Sequence, residues 1–260
     1  MSDRRLTPNP DWATGETPAR ICLPVVDLLA RPHGPRDRQL LMGEAVTILG
    51  QREDTAHIRA EKDGYHGFVN AAALGPESQP THKISAPASH AYAEPDLKSP
   101  DRLSLSFASR VAVIATSGDF CETEYGHIPA QHLRPIDSLE TDPAAVAERF
   151  IGTPYLWGGN SRFGIDCSGL VQAAFLACGH PCPGDSDLQA ADLGEALPDG
   201  TPYLRNDLLF WKGHVALVLT PKTLIHANAH AMAVAVEGID AAIARIASQG
   251  DGPVTAHRRL

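Results

Sequence analysis

The chain has 260 residues, 43% of them hydrophobic, which is enough apolar material to bury more than one core. A net charge of -9, with no basic run longer than a pair of arginines, argues against nucleic acid and against anionic membrane as partners and leaves a small molecule or a peptide. The N-terminal stretch lacks the apolar core of a secretory signal, and no segment nears the ~20 apolar residues of a membrane span, which points to the cytoplasm.

Five scattered cysteines fit reduced thiols better than a disulfide framework. Cys178 and Cys182 flank His180 in "CGHPC", yet no further ligands of a closed zinc site lie nearby, so neither a metal nor a cofactor is expected.

After an extension over residues 1–20, residues 21–77 read as short apolar runs broken by turns: "ICLPVVDLLARP", "QLLMGEAVTILGQ" and "TAHIRAEKDGYHGFVN". "AVTIL" and "AHIRA" alternate as strands do, and "KDG" is a turn before "YHGFV", the pattern of a small barrel or meander. Residues 82–137 repeat the plan in "ISAPASHAYAEPDLKS", "LSLSFASRVAVIATSG" and "DFCETEYGHIPAQHLRP", which implies two copies of one module rather than a solenoid.

A different pattern covers residues 140–260. In "TDPAAVAERF", Asp142 is placed as N-cap and Pro143 at the first helical position. The Gly- and Pro-rich "IGTPYLWGGNSRFG" reads as an irregular loop. In "DCSGLVQAAFLACG", Asp166 caps, Leu170, Val171, Ala174, Phe175 and Cys178 fall at helical spacing, and Gly179 suits the C-terminal end. "DLLFW", "KG" and "HVALVLT" predict a hairpin, "TLIHANA" and "MAVAVEGI" further strands, and "IDAAIARIAS" a helix. Strands after helices predict an α+β domain whose antiparallel sheet packs against the Cys167 helix.

Cys167 therefore falls in the first turn of a helix, where the N-terminal end stabilises a thiolate. Buried cysteine also packs well as a small hydrophobe, so a structural thiol is the competing reading. Of twelve histidines, His214 opens a strand after a turn and His226 sits among apolar neighbours. On one face of a sheet they would serve as base and orienter for the thiol, or equally be two hydrogen-bonded sheet histidines. The residues alone leave both readings open.

"PYLWGG", "DCSGLVQ", "HVALVL" and "LIHAN" together resemble the NlpC-type family of papain-like cell-wall cysteine peptidases, over roughly residues 143–236. The two upstream repeats resemble the bacterial SH3-like modules fused to such enzymes in the murein-peptide-recycling branch. The implied fold is multidomain: two small all-β SH3-like barrels followed by an α+β papain-like domain. By this resemblance Cys167 is the nucleophile, His214 the general base, His226 its orienter, and Tyr155 an oxyanion donor beside the Cys167 backbone N–H. Asp166 and Ser168 match positions that bind the free amino terminus of the substrate, and Asp185 and Ser186 in "GDSDLQ" match substrate-lining positions. Glu44 and Tyr65 resemble the acid and tyrosine that wall the amine pocket. Relatives usually carry "GD" where this chain has Asn206 and Asp207.

The implied reaction is hydrolysis of the γ-D-glutamyl to diamino acid bond in murein stem peptides with a free N-terminal L-Ala, releasing L-Ala-γ-D-Glu. An amidase or acyltransferase using the same Cys and His pair is one alternative, and a catalytically inert wall-peptide-binding protein is the other.

Overall fold

A computed structural model describes residues 3–260 of the chain, which divide into two compact units on either side of residues 138 and 139.

The first unit opens with a seven-stranded sheet: β1 (Thr17–Ile21), β2 (Val25–Leu29), β3 (Arg36–Leu41), β4 (Ala45–Arg52), β5 (Thr55–Ala60), β6 (His66–Asn70) and β7 (Leu74–Pro76), in the order β3-β2-β6-β5-β4-β1-β7. Inward residues such as Ile21, Leu28, Leu40, Val46, Ile58 and Val69 form its core, as the alternation in "AVTIL" and "AHIRA" requires. The sheet begins earlier than the sequence suggests. β1 opens at Thr17, inside the stretch read as an extension, because its first residues are polar and exposed and are held by main-chain pairing to β4. Ahead of it Trp12 is set edge-on against Phe68 at 5.1 Å between ring centroids.

The rest of this unit consists of β8 (His82–Ile84), β9 (Ala88–Tyr92), β10 (Asp101–Ser106), β11 (Arg110–Val111), β12 (Val113–Ser117), β13 (Phe120–Thr123), β14 (Gly126–Pro129) and β15 (Leu133–Pro135). They form a five-stranded sheet, β10-β9-β14-β13-β12, and a three-stranded one, β11-β8-β15, around Ile84, Leu105, Ile128 and Leu133. The two halves of the unit each close on a single 3-10 turn, Ala71–Ala73 and Ala130–His132, that runs into a short strand beginning with leucine. Met42 of the first half belongs to the core of the second.

The second unit starts with helix α1 (Pro143–Glu148), capped by Asp142, whose carboxylate accepts from the Ala144 N–H. A loop carrying the bridge strands β16 (Asn160–Ser161) and β17 (Gly164–Ile165) leads to α2 (Cys167–Ala177). Then follow α3 (Ser186–Asp192), β18 (Glu195–Ala196), β19 (Leu208–Trp211), β20 (His214–Thr220), β21 (Thr223–Asn228), β22 (Ala233–Gly238), α4 (Ile239–Ser248) and β23 (Ala256–Arg259). The sheet is antiparallel in the order β18-β23-β19-β20-β21-β22.

α1 and α2 pack on β20 and β21, while α4 covers the face of Ala216, Val218 and Leu224 through Ile239, Ala242 and Ile246. The alternate residues Val215, Leu217 and Ile225 are also fully buried, so β20 reads as an unbroken apolar run because both its faces are covered. On α2, Leu170, Val171, Ala174 and Phe175 are all at most 1% exposed, each burial stabilising the helix by roughly 1–3 kcal/mol. That anchorage fixes where the first residue of α2 lies.

Candidate active site

Asp166 shapes the start of α2. Its Oδ1 accepts from the Gly169 N–H at 2.7 Å and the Ser168 hydroxyl at 3.1 Å, while Oδ2 accepts from the Gly158 N–H at 2.9 Å. One carboxylate therefore caps the helix and ties the "PYLWGG" loop to it. Two glycines make the approach possible. Gly158 sits at φ +70°, and a Cβ on Gly169 would lie 2.4 Å from the Gly159 carbonyl oxygen.

This packing brings Tyr155 to Cys167. Burial, then the nearby Cys167 and Asp166, push the Tyr155 hydroxyl up to about 12, so it keeps its proton and is a donor. Cys167 itself is 7% exposed. Burial and the Asp166 charge push its thiol up to about 12, opposed by the backbone N–H groups of Val215, Ser168 and Cys167 that face the sulfur. The Val215 N–H sets the thiol against the main chain of β20.

His214 and His226 share one face of the sheet, being in step with Ala216, Val218 and Leu224 along their strands. His214 Nε2 lies 2.9 Å from His226 Nδ1, and His226 Nε2 lies 3.1 Å from Glu237 Oε2. Glu237 is the diagonal neighbour of His226 across β22, where His226 pairs with Ala235. Arg245 of α4 holds the Glu237 carboxylate with two bonds, Nη2 to Oε2 at 2.7 Å and Nε to Oε1 at 3.0 Å.

The proton positions follow from the far end. The Arg245 guanidinium keeps the Glu237 carboxyl below its ordinary range, so it is ionised and only accepts. His226 must then carry its proton on Nε2. Burial holds His226 down at about 4, so the ring is neutral and its Nδ1 accepts. His214 donates to it from Nε2 and is itself neutral, held at about 3 by burial and by His226. Its bare nitrogen is Nδ1, the atom able to take a proton from the thiol.

Asp185 and Ser186, the latter opening α3, lie where α3 meets α2: Gln189 donates to the Ser168 carbonyl at 3.0 Å and to the Pro183 carbonyl at 3.0 Å. Glu44 and Tyr65 belong to the first unit. The Glu44 carboxylate pairs with Lys62 at 2.7 Å, and the Tyr65 ring lies under the Arg38 guanidinium at 5.5 Å. Among the described residues, no three His, Cys, Asp or Glu side chains are grouped to hold a metal ion.

The sequence reading missed Glu237, Arg245 and Asp207. Asp207 is fully buried and is bound by His257 at 2.7 Å and by Arg259 through two bonds of 2.7 Å, which fasten β23 to β19. Burial works to raise its carboxyl, but these bonds and the Leu204 N–H hold it below the ordinary range. Asp207 stands just before β19, Glu237 near the end of β22 and Arg245 on α4, and each charge by itself reads as solvated.

Residues 152–245 match the NlpC/P60 family, and residues 28–74 match the bacterial dipeptidyl-peptidase Sh3 domain. The chain is 29% identical over 219 residues to a gamma-D-glutamyl-L-lysine dipeptidyl-peptidase of Bacillus subtilis, covering 72% of this chain and 71% of that protein. It is 34% identical over 126 residues to dipeptidyl-peptidase 6 of Lysinibacillus sphaericus, covering 45% of this chain and 46% of the relative, about half that relative's length. Among solved structures, an NlpC/P60 family protein from Bacillus cereus shares the fold, with a TM-score of 0.75 over 94% of this chain and 99% of that one at 19% identity.

Proposed function

Since the chain is a cysteine peptidase of the NlpC/P60 type carrying a bacterial SH3 domain, we propose that it cleaves the γ-D-glutamyl to diamino acid bond of free murein peptides and releases L-Ala-γ-D-Glu. The observation that carries the reading is a buried thiol at the start of α2 held against the backbone N–H of Val215, the residue after His214, with the bare nitrogen of that histidine fixed by His226. The substrate bond comes from the name of the Bacillus subtilis relative, a gamma-D-glutamyl-L-lysine dipeptidyl-peptidase.

Cys167 Sγ attacks the γ-carbonyl carbon as its proton passes to Nδ1 of His214. The oxyanion takes hydrogen bonds from the Tyr155 hydroxyl and the Cys167 N–H. Collapse of this intermediate breaks the C–N bond, and His214 returns the proton to the leaving amine. Water, deprotonated by His214, then attacks the thioester, and Cys167 leaves with the proton.

Asp166 and Ser168 stand beside the nucleophile with a carboxylate to meet a substrate ammonium; a carboxylate there favours a free N-terminal L-Ala over an acylated one. For Asp185, Ser186, Glu44 and Tyr65 a part in binding rests on the resemblance, as does the reading of residues 82–137 as a second SH3-like module. A preference for free peptides fits a cytoplasmic role in wall-peptide recycling. The test is incubation with L-Ala-γ-D-Glu-diaminopimelate and with its N-acetylated form, followed by mass spectrometry. Dipeptide release from the free peptide alone is expected. No release, or equal release from both, overturns the reading.

A further inference from the structure

Trp211 ends β19 and His214 opens β20, and the two-residue turn between them, with Gly213 at φ +74°, makes them opposite residues of the hairpin. Opposite residues share one face of a sheet, and here the indole and imidazole centroids lie 5.7 Å apart with their planes at 42°. Trp211 is 3% exposed and packs in the layer of Leu209, Ala216 and Val218. Its indole N–H has no acceptor among the described residues, so leucine or phenylalanine would fill the same layer without burying an unpaired donor. What tryptophan adds at this position is its electron-rich face.

We propose that Trp211 is a positioning residue for His214 whose indole face stabilises the imidazolium, from the moment the thiol gives up its proton until the leaving amine takes it. The inference takes the proton transfer from Cys167 to His214 from the reading above and adds the group that favours it. In that step the S–H bond breaks and an Nδ1–H bond forms, leaving a thiolate and an imidazolium. Burial holds His214 at about 3, so its cation forms against a large desolvation cost. The other groups around it give little relief. His226 accepts from Nε2 but is neutral, the Glu237 charge lies beyond that ring in the grip of Arg245, and Arg245 opposes a second cation. Tyr155 shares a cleft with His214 and keeps its proton, while Lys212, His230 and Asp251 of the same cleft are exposed, where water screens them. The thiolate is a counter-charge only until the sulfur bonds to the carbonyl carbon. A cation within about 6 Å of an indole centroid is attracted by the ring throughout.

Fluorine withdraws electron density from the indole face at almost constant ring size, so tryptophans carrying one to four fluorines, placed at position 211 alone, weaken the attraction and keep the packing. The readouts are kcat and KM on L-Ala-γ-D-Glu-diaminopimelate, and the rate at which iodoacetamide labels Cys167 at neutral pH, followed on the Cys167 peptide by mass spectrometry. Labelling and kcat should both fall step by step with fluorine content, by about threefold to thirtyfold in the tetrafluoro protein, while KM holds. A labelling rate independent of fluorine content overturns this inference alone, because a ring that only packs is indifferent to the charge on its face. Graded labelling without turnover retains the inference and overturns the substrate reading. A wild-type protein whose Cys167 is neither labelled nor active on the peptide overturns the proton-transfer reading and this inference together.

Discussion

His226 receives the Nε2 proton of His214 across 2.9 Å, and the direction of that bond is dictated from the opposite side of the ring by Glu237. A glutamine at position 237 would turn its carbonyl toward the two Arg245 donors and its amide N–H toward His226 Nε2. His226 would then carry its proton on Nδ1 and give it to His214, leaving Nδ1 of His214 protonated and unable to accept from the thiol. Glu237→Gln should therefore lower kcat by about a hundredfold or more with little change in KM, while Glu237→Asp, which keeps an acceptor, recovers part of the loss. Steady-state kinetics on the murein tripeptide measure this. A Gln variant with wild-type kcat would show that the relay does not set the tautomer.

Tyr155 holds its proton because burial and the neighbouring Cys167 and Asp166 push its hydroxyl up to about 12. A hydroxyl of that kind stabilises an oxyanion and does little for the ground state. Tyr155→Phe should reduce kcat by roughly 10²-fold, in line with the removal of one oxyanion donor, and leave the far-ultraviolet spectrum unchanged. If only KM moved, Tyr155 would be a binding residue.

Much of this was legible in the sequence, and the reasons are local. Asp142 and Asp166 announce α1 and α2 because capping is decided within three residues, and "HVALVL" reads as a strand because each residue of the run is apolar. That Cys167 works with His214 and His226 rests on the resemblance of a combined motif, since no spacing rule brings a helix start to two strand positions. Glu237 and Arg245 were illegible for a different reason. Their pairing crosses from a strand edge to a helix, and each alone looks like a solvated charge. α3 was missed because "SDLQAAD" is short and its cap position, Asp185, makes no capping side-chain bond.

Asn206 stands where the resemblance implies glycine, and the structure shows both a reason for glycine and a compensation. The residue sits at φ +74°, where a Cβ is strained, and its Oδ1 accepts from the Ala144 N–H at 2.8 Å at the start of α1. Asn206→Gly relaxes the backbone but loses that bond, while Asn206→Ala loses the bond and keeps the strain. The alanine variant should be less stable than wild type by about 1–2 kcal/mol, with the glycine variant lying between them or near wild type. Guanidinium midpoints of the three proteins test the order, and an alanine variant as stable as wild type would remove the bond from the account.

Stability should fall as the solution turns acid, through a histidine of the first unit. His57 is 1% exposed, stacks on Phe68 at 4.8 Å, and leaves its Nδ1 without a hydrogen bond. Burial first, and then the nearby His66, hold it at about 4 against an ordinary 6.5. Between those two values the unfolded chain binds the proton that the folded protein refuses, so stability is full above about 6.5 and is lost as the pH falls toward 4. The depression corresponds to roughly 3 kcal/mol. His66, His214 and His226 are lowered as well and act in the same direction, so the total fall is larger than this single share. His57→Phe keeps a flat ring against Phe68 and cannot titrate. Its unfolding free energy, followed by denaturant titration at pH 7.5, 5.5 and 4.5, should decline less steeply than that of wild type by about that amount. An unchanged slope would mean that the folded protein accommodates a charged His57.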